Sequence, residues 1–224
     1  MLKMGIVIGY LCLICFVFLV AKAITARCHL QKADKFLRKC HKPLSVVMLI
    51  LCILHIILVI PVLRNRSMFV NISGIVCVVC LLLLIFLCHV IKEPNRRMWW
   101  HRALAIALGL GIVCHMVSYY IDFQNYQQKI ADIEVSNVDL SEIADGIYEG
   151  EYDAGYIYAK VAVEVKDGTI VSVNILEHRN ERGKEAESIT DAVLEQQEIA
   201  VDAVSSATNS SKVIMEAIEN ALTN

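Results

Sequence analysis

Beyond Cys114 this 224-residue chain has no cysteine: all nine lie between Cys12 and Cys114. That excludes a disulfide-built extracellular module there. Two C-x-x-C strings occur, Cys12/Cys15 and Cys77/Cys80, but neither is followed by histidine, so the string that attaches c-type haem is missing. Mid-span cysteines of this kind read first as small apolar residues. No glycine-rich dinucleotide fingerprint is present, and a soluble nicotinamide donor would need another subunit. The first apolar run lacks a small-residue cleavage site and reads as a retained span, not a signal peptide. With a net charge of −2, nothing suggests a nucleic-acid partner.

What is present divides into two halves. The chain is 57% apolar with a mean hydropathy of +0.55. Residues 1–122 are nearly all membrane-like, and the remainder is soluble in character and acidic. A helix needs about 20 apolar residues to cross a bilayer core. Four runs are long enough, near Met4–Ile24, Leu44–Leu63, Met68–Ile91 and Arg102–Ile121.

The connection after the first run holds Lys22, Arg27, Lys32, Lys35, Arg38, Lys39 and Lys42, and that after the third holds Lys92, Arg96, Arg97 and Arg102. Cytoplasmic loops carry the excess of Lys and Arg. Both basic connections are therefore expected in the cytoplasm of a multi-pass plasma-membrane protein. Both termini and the C-terminal half are expected outside. Arg64 and Arg66, between the second and third runs, are a small contrary signal.

Six of the seven histidines form a triplet that occurs twice. His29, His41 and His55 recur as His89, His101 and His115, each displaced by 60 residues. Histidine in a membrane is costly, faces a bundle interior, and marks a pathway or a cofactor. On a helix, 14 residues make about four turns and rise about 21 Å. His41 and His55 then share one face at two depths, as do His101 and His115. Spans two and four run the same way, so equal spacing gives equal depth. His41 can meet His101 near the cytoplasmic side, and His55 can meet His115 toward the outside. Gly109 and Gly111 lie between the histidines of span four, where missing side chains would admit a flat ring, or would simply serve helix packing.

Opposed imidazoles at matched depth suit axial ligation. The pattern over residues 41–115 resembles the b-type haem bundles of ferric reductase-like transmembrane domains and related cytochromes b. That resemblance implies two haems b, one on His41/His101 and one on His55/His115. Polar packing, a proton path or a metal path are the other readings of these four residues. A zinc site at Cys28-His29 and Cys40-His41 is disfavoured, because Trp100 replaces the second cysteine in the other copy. His29 and His89, at the cytoplasmic ends of spans one and three, remain unassigned. They would line a quinol site, touch haem propionates, ligate instead, or simply suit a helix C-terminus.

From Asp145 the pattern changes. Tyr148–Tyr156, Tyr158–Lys166 and Thr169–Leu176 read as strands, with a hairpin turn at Asp167-Gly168. Helices are expected near Glu181–Gln196 and Ser210–Leu222, after a partly helical spacer. Roughly 80 residues suffice for one small core. His178 and Arg179 read as a solvated strand end, with flavin or phosphate contact the sharper alternative.

The string Asp202-Ala203-Val204-Ser205-Ser206-Ala207-Thr208-Asn209-Ser210-Ser211 resembles the flavinylation motif D-x-x-[ST]-G-A-T-x-[ST] of the FMN-binding domain family. That family includes the C subunit of the sodium-pumping NADH:quinone reductase and the G subunit of the Rnf complex. Flanking text agrees, at Gly146–Gly150 and Val163–Val171. The resemblance implies that Thr208 carries FMN through a phosphoester. It also implies that Asp202, Ser205, Ser206 and Ala207 belong to the signature read by an FAD:protein FMN transferase. Ser206 replaces the usual glycine, which would permit a tight turn. Independently, a Ser/Thr/Asn-rich segment opening a helix at Asn209–Lys212 offers N–H groups to a phosphate.

The expected fold class is a membrane all-α four-helix bundle with a two-fold internal repeat, plus a small extracytoplasmic α+β FMN-binding domain. The expected limits are 1–122 for the bundle (repeats about 5–63 and 65–122), 123–144 for a spacer and 145–224 for the flavin module. The expected function is electron transfer from a cytoplasmic-side donor or quinol, through haem, to FMN and an extracytoplasmic acceptor. The alternative is a haem-free, membrane-anchored flavoprotein subunit that docks on a larger redox complex.

Overall fold

The computed structural model describes residues 2–223. The chain forms two compact units. The first comprises the residues up to Arg64 together with Met68–Tyr119. The second comprises Asn65–Ser67 and Tyr120 onward.

The first unit is helical. Its elements are α1 (Leu2–Arg27), α2 (Gln31–Val59), a 3-10 turn at Ile60–Asn65, α3 (Met68–Val90) and α4 (Pro94–Ala131), whose last residues belong to the second unit. All four helices are long and apolar enough to cross a membrane. α2 and α4 exceed the runs read from the sequence. At 38 residues α4 is about 57 Å long, well beyond a hydrocarbon core of about 30 Å. Their polar extensions are rich in Lys, Arg and Gln, which are good helix formers. The core takes one buried residue from each helix: Cys15, Met48, Leu81 and Leu108.

Small residues set the helix approaches. A Cβ on Gly9 would lie 3.1 Å from the His55 ring, and one on Gly74 would lie 3.2 Å from the His115 ring. A Cβ on Gly109 would meet the Phe16 ring at 3.3 Å, and one on Gly111 would meet Cys77 Sγ at 3.2 Å. The space beside Gly109 and Gly111 is thus filled by neighbouring side chains. These glycines serve helix packing, and the room for a flat ring expected beside them is not there.

The second unit is a three-stranded antiparallel sheet, ordered β1-β2-β3, with helices against one face. The strands are β1 (Gly146–Asp153), β2 (Tyr158–Lys166) and β3 (Thr169–Arg179). The hairpin falls where expected. Asp167 and Gly168 both have positive φ, +50° and +69°, as a two-residue turn of this hand requires. A 3-10 turn (Lys184–Ser188) and α5 (Ile189–Gln196) replace the single helix expected from Glu181. The last helix, α6, is Thr208–Thr223.

The alternation of β2 buries Ala159, Val161, Val163 and Val165 against α6. α6 answers with Ser210, Ser211, Ile214, Ala217, Ile218 and Ala221, spaced three and four apart. Helix and sheet touch at Gly150. A Cβ there would lie 2.3 Å from both Ala217 O and Ala221 N, backbone atoms that cannot swing away. Gly150→Ala is expected to cost about 2–3 kcal/mol, as overpacking does. A lowered thermal unfolding midpoint of the C-terminal unit checks it; an unchanged midpoint refutes the contact.

β3 breaks strict alternation. Val161 pairs with Ile175 and Lys160 with Glu177, so Leu176 is extra. Val165 pairs with Ile170 and Glu164 with Ser172, so Val171 is extra. Both extra residues point to solvent, at 50% and 46% exposure. Such bulges re-aim the side chains beyond them. They put Val173 and Ile175 on the same face as Ile170 and His178, the face shared by their partners Val163, Val161, Val165 and Ala159. The strand runs to Arg179, and the His178 side chain is only 2% exposed. The solvated strand end expected at His178 is therefore corrected.

Candidate functional site

In the second unit the chemistry gathers at the start of α6. Thr208 is the first helical residue and is exposed. Just before it, Val204–Ala207 forms a tight turn closed by Ala207 N–H donating to Val204 O at 3.0 Å. Ser206 occupies the third position of that turn with φ +67°. A turn with positive φ there asks for glycine. The backbone conformation that the motif's glycine serves is thus kept, at a steric cost to the serine. The turn is braced from behind: Val204 N–H donates to the buried Ser211 Oγ at 3.1 Å, and Ser211 N–H to Ala207 O at 2.9 Å.

The N–H groups of the first helical turn have no partner within the helix and carry its positive dipole end. An anion such as a phosphate fits there. Asp202 and Ser205 are exposed beside the turn, and Ala207 is buried beneath it. Ser206→Gly is expected to stabilise the unit by about 0.5–1 kcal/mol, the αL cost of a side chain less glycine's entropy. Chemical denaturation of the two proteins checks it; equal or lower stability of the glycine variant means that Ser206 carries no strain.

Two flanks meet this turn. On one, Asn209 Nδ2 donates to Tyr126 Oη at 2.8 Å. Tyr126 stacks on Tyr156 with ring centroids 4.7 Å apart and planes 10° from parallel, and Phe123 leans on both. The Arg66 guanidinium lies 3.6 Å over the Tyr156 ring and pairs with Glu181. Its side chain is 4% exposed. The charge that ran against the loop rule is therefore buried in this unit, engaged by a carboxylate and an aromatic face.

On the other flank, Gly183 lies against the first turn of α6. A Cβ on it would fall 2.0 Å from Ser210 Oγ. Gly183 N–H donates to Asn180 Oδ1 at 3.0 Å. Asn180 Nδ2 lies 3.2 Å from His178 Nδ1, and Glu187 Oε1 lies 3.0 Å from the same nitrogen. At the same end of the sheet Tyr158 donates to Glu151 at 2.6 Å, which pushes its phenol up to about 12. Sequence reasoning missed Tyr126 and Tyr156, read Arg66 only as a loop charge, and read His178 first as a solvated strand end. Tyr126, Tyr156 and Arg66 are distant in sequence from the motif, and the bulges set the partner of His178.

A second constellation lies in the first unit. His41 on α2 and His101 on α4 face each other, with ring centroids 6.0 Å apart and planes at 63°. His41 Nδ1 is enclosed, with no hydrogen-bond partner among the described residues. Cys88 Sγ lies 3.5 Å from His101 Nδ1. His55 Nδ1 lies 2.8 Å from Gly5 O. A carbonyl only accepts, so Nδ1 carries the hydrogen and Nε2 is a bare lone pair.

His115 Nδ1 lies 3.0 Å from Ser73 Oγ, and that hydroxyl donates its proton to Val70 O at 2.9 Å. Here too Nδ1 is the donor and Nε2 is left bare. Histidines that bind metal hold their second nitrogen in this way, by a hydrogen bond that fixes tautomer and ring direction. Among the described residues no group of three or more His, Cys, Asp or Glu could hold a metal ion. A pair of axial imidazoles needs only two such residues, because a porphyrin supplies the remaining donors. His29 lies exposed in the turn after α1, with φ +55°. His89 is exposed at the end of α3 and folds its Nδ1 back 3.0 Å from Ile85 O, a contact within its own helix.

The C-terminal unit is thus a small α+β module whose last helix presents an anion-binding first turn. Residues 154–223 match the family model described as FMN-binding domain. The match begins after β1 and covers Tyr156, Gly183, the turn and Thr208, but not Arg66, Phe123 or Tyr126. No curated protein and no solved structure matches the chain.

Proposed function

We propose that this chain is a multi-pass plasma-membrane electron-transfer protein that carries FMN on Thr208. The observation that carries the reading is the match over residues 154–223 together with the left-handed Ser206 just before an exposed Thr208. When bound, FMN supplies the redox chemistry, accepting and passing electrons. The residues do the holding. Thr208 Oγ1 is the attachment atom, the first turn of α6 receives the phosphate charge, and Asp202, Ser205, Ser206 and Ala207 complete the signature for an FMN transferase.

In the bundle, His41/His101 and His55/His115 would each hold one haem b, which would supply one-electron transfer between the two sides of the membrane. Gly5 O and Ser73 Oγ aim the outer pair. Electrons come from a quinol or another cytoplasmic-side donor. The bundle hands them to the flavin outside the membrane, for an extracytoplasmic acceptor or another redox subunit. The burial of Arg66 supports this orientation, because its charge serves the flavin module and not the loop rule. Reduced-minus-oxidised spectra of the purified protein test the haem half: an α-band near the b-type position is expected. Its absence would leave only a haem-free, membrane-anchored flavoprotein.

A further inference from the structure

Two exposed aromatic rings stand among cations at the end of the bundle where His41 and His101 face each other. Phe36 on α2 is 64% exposed, and Trp99 on α4 is 61% exposed although it packs edge-on against Trp100. Lys32 and Lys39 lie one turn before and one turn after Phe36, within about 60° of it round the helix, with Lys35 and Lys42 beside them. Arg96 and Arg102 flank Trp99 at about 60° on either side. All of these cations are exposed. His41 is about 140° round the helix from Phe36, and His101 about 160° from Trp99. Both rings therefore point away from the facing histidines and out of the bundle.

The acids of these two stretches are engaged locally. Asp34 pairs with Arg38, and Glu93 accepts from the backbone N–H groups of Asn95 and Arg96 at the start of α4. Among the described residues no carboxylate pairs with the four lysines, with Arg96 or with Arg102. Lysine and arginine alone are at home in water. A phenyl and an indole ring held outward among them are better placed in the head-group layer of a bilayer, where rings sit at the boundary with the acyl chains and long basic side chains reach the phosphates. Both stretches run without a break into the apolar lengths of α2 and α4, which puts them at the level of that layer.

Resting on the reading of the bundle as membrane-spanning, we infer that this end of it binds anionic phospholipid. Phe36 and Trp99 lie against the upper acyl chains, and the lysines of α2 and the two arginines of α4 hold the phosphates. The charge pattern selects the lipid. A zwitterionic head group brings its own cation, which these side chains repel. A head group with a phosphate and no amine meets only attraction. The same arrangement, an outward ring between cations a turn away on each side, occurs on α2 and again on α4, so it does not depend on one fortuitous side chain.

The test uses the full chain reconstituted in phosphatidylcholine vesicles with a trace of spin-labelled lipid. The fraction of label slowed by the protein is measured for phosphatidylglycerol and for phosphatidylcholine. Phosphatidylglycerol should associate about fivefold more tightly, the factor that one cation near a charged lipid surface supplies. Most of that preference should vanish in 1 M salt, where charges are screened beyond about 3 Å. Lys32→Gln/Lys39→Gln combined with Arg96→Gln/Arg102→Gln should bring the ratio toward one and leave the slowed fraction of phosphatidylcholine unchanged. The salt series on the wild type carries the test if that variant does not reconstitute. Equal association of the two lipids, or a preference that survives salt, overturns the lipid site and leaves the spans standing. Slowed label with neither lipid overturns the membrane reading and takes the lipid site with it.

Discussion

Thr208→Ala is expected to abolish flavin fluorescence of the protein band after denaturing electrophoresis, with the protein still produced and folded. The side chain is exposed at the first position of α6 and supports no buried contact of the core. Its loss costs the helix little: Thr208 follows the capping turn instead of forming it, and Ala is the better helix former. The bond is lost because alanine has no oxygen at that position to form a phosphoester. Thr208→Ser, which restores the hydroxyl, should restore the signal. Ser206→Gly should label at least as well as wild type, because it relaxes the turn that presents the hydroxyl. A band that still fluoresces after Thr208→Ala would place the flavin elsewhere, and a band dark in wild type would remove the covalent link while leaving FMN binding open to measurement by release.

Removing one outer histidine is expected to halve the haem. The wild-type protein should give two haems per chain by pyridine haemochrome, and His55→Ala or His115→Ala should give one. The hydrogen bonds behind these rings allow a finer test. Ser73→Ala takes the hydroxyl from His115 Nδ1 but leaves the imidazole, so haem should remain while its reduction potential shifts. Losing the hydrogen bond behind a ligand typically weakens a metal site about 10–100-fold without abolishing it. Gly9→Leu and Gly74→Leu, which drive a side chain into the His55 and His115 rings, should lose haem like the histidine variants. Full haem content in His55→Ala, or none in wild type, defeats the assignment.

Much of this architecture is readable along the chain because its causes are local. Long apolar runs become long helices whatever their neighbours do. Asp167-Gly168 specifies its turn by itself, and the turn chemistry around Ser206 is written in five consecutive residues. The facing of His41 and His101 is also legible, since equal 60-residue displacement on parallel helices fixes relative depth by geometry alone.

The features that resist reading have non-local causes. The two bulges in β3 have no strong local signature, since Val171 and Leu176 are as good in a regular strand as in a bulge. Without them His178 would fall opposite Ile157, beyond the start of β2, instead of opposite Ala159. Gly109 and Gly111 are ambiguous in sequence because a missing Cβ does not say what fills the space; Phe16 and Cys77, from two other helices, fill it. The polar stretch Gln31–Lys42 reads as a connection because it lacks an apolar period. It is helical because backbone hydrogen bonds close within the segment and its lysines and arginines tolerate the helix well. Pro43, inside α2, is not enough to stop it.

The assignment of Asn65–Ser67 to the second unit bears on how portable the flavin module is. A soluble fragment cut to begin at Tyr120 would contain the whole sheet, both flanking loops and Thr208, and by sequence it would look complete. It would lack Arg66. Glu181 would keep its place beside the tyrosine stack with no guanidinium against it, and stranding one member of a buried ion pair costs about 3–5 kcal/mol. A domain of this size has little more than that to lose. Excision would therefore work only with a substitution at Glu181 that needs no counter-charge, such as Glu181→Gln, or with the three-residue loop grafted back.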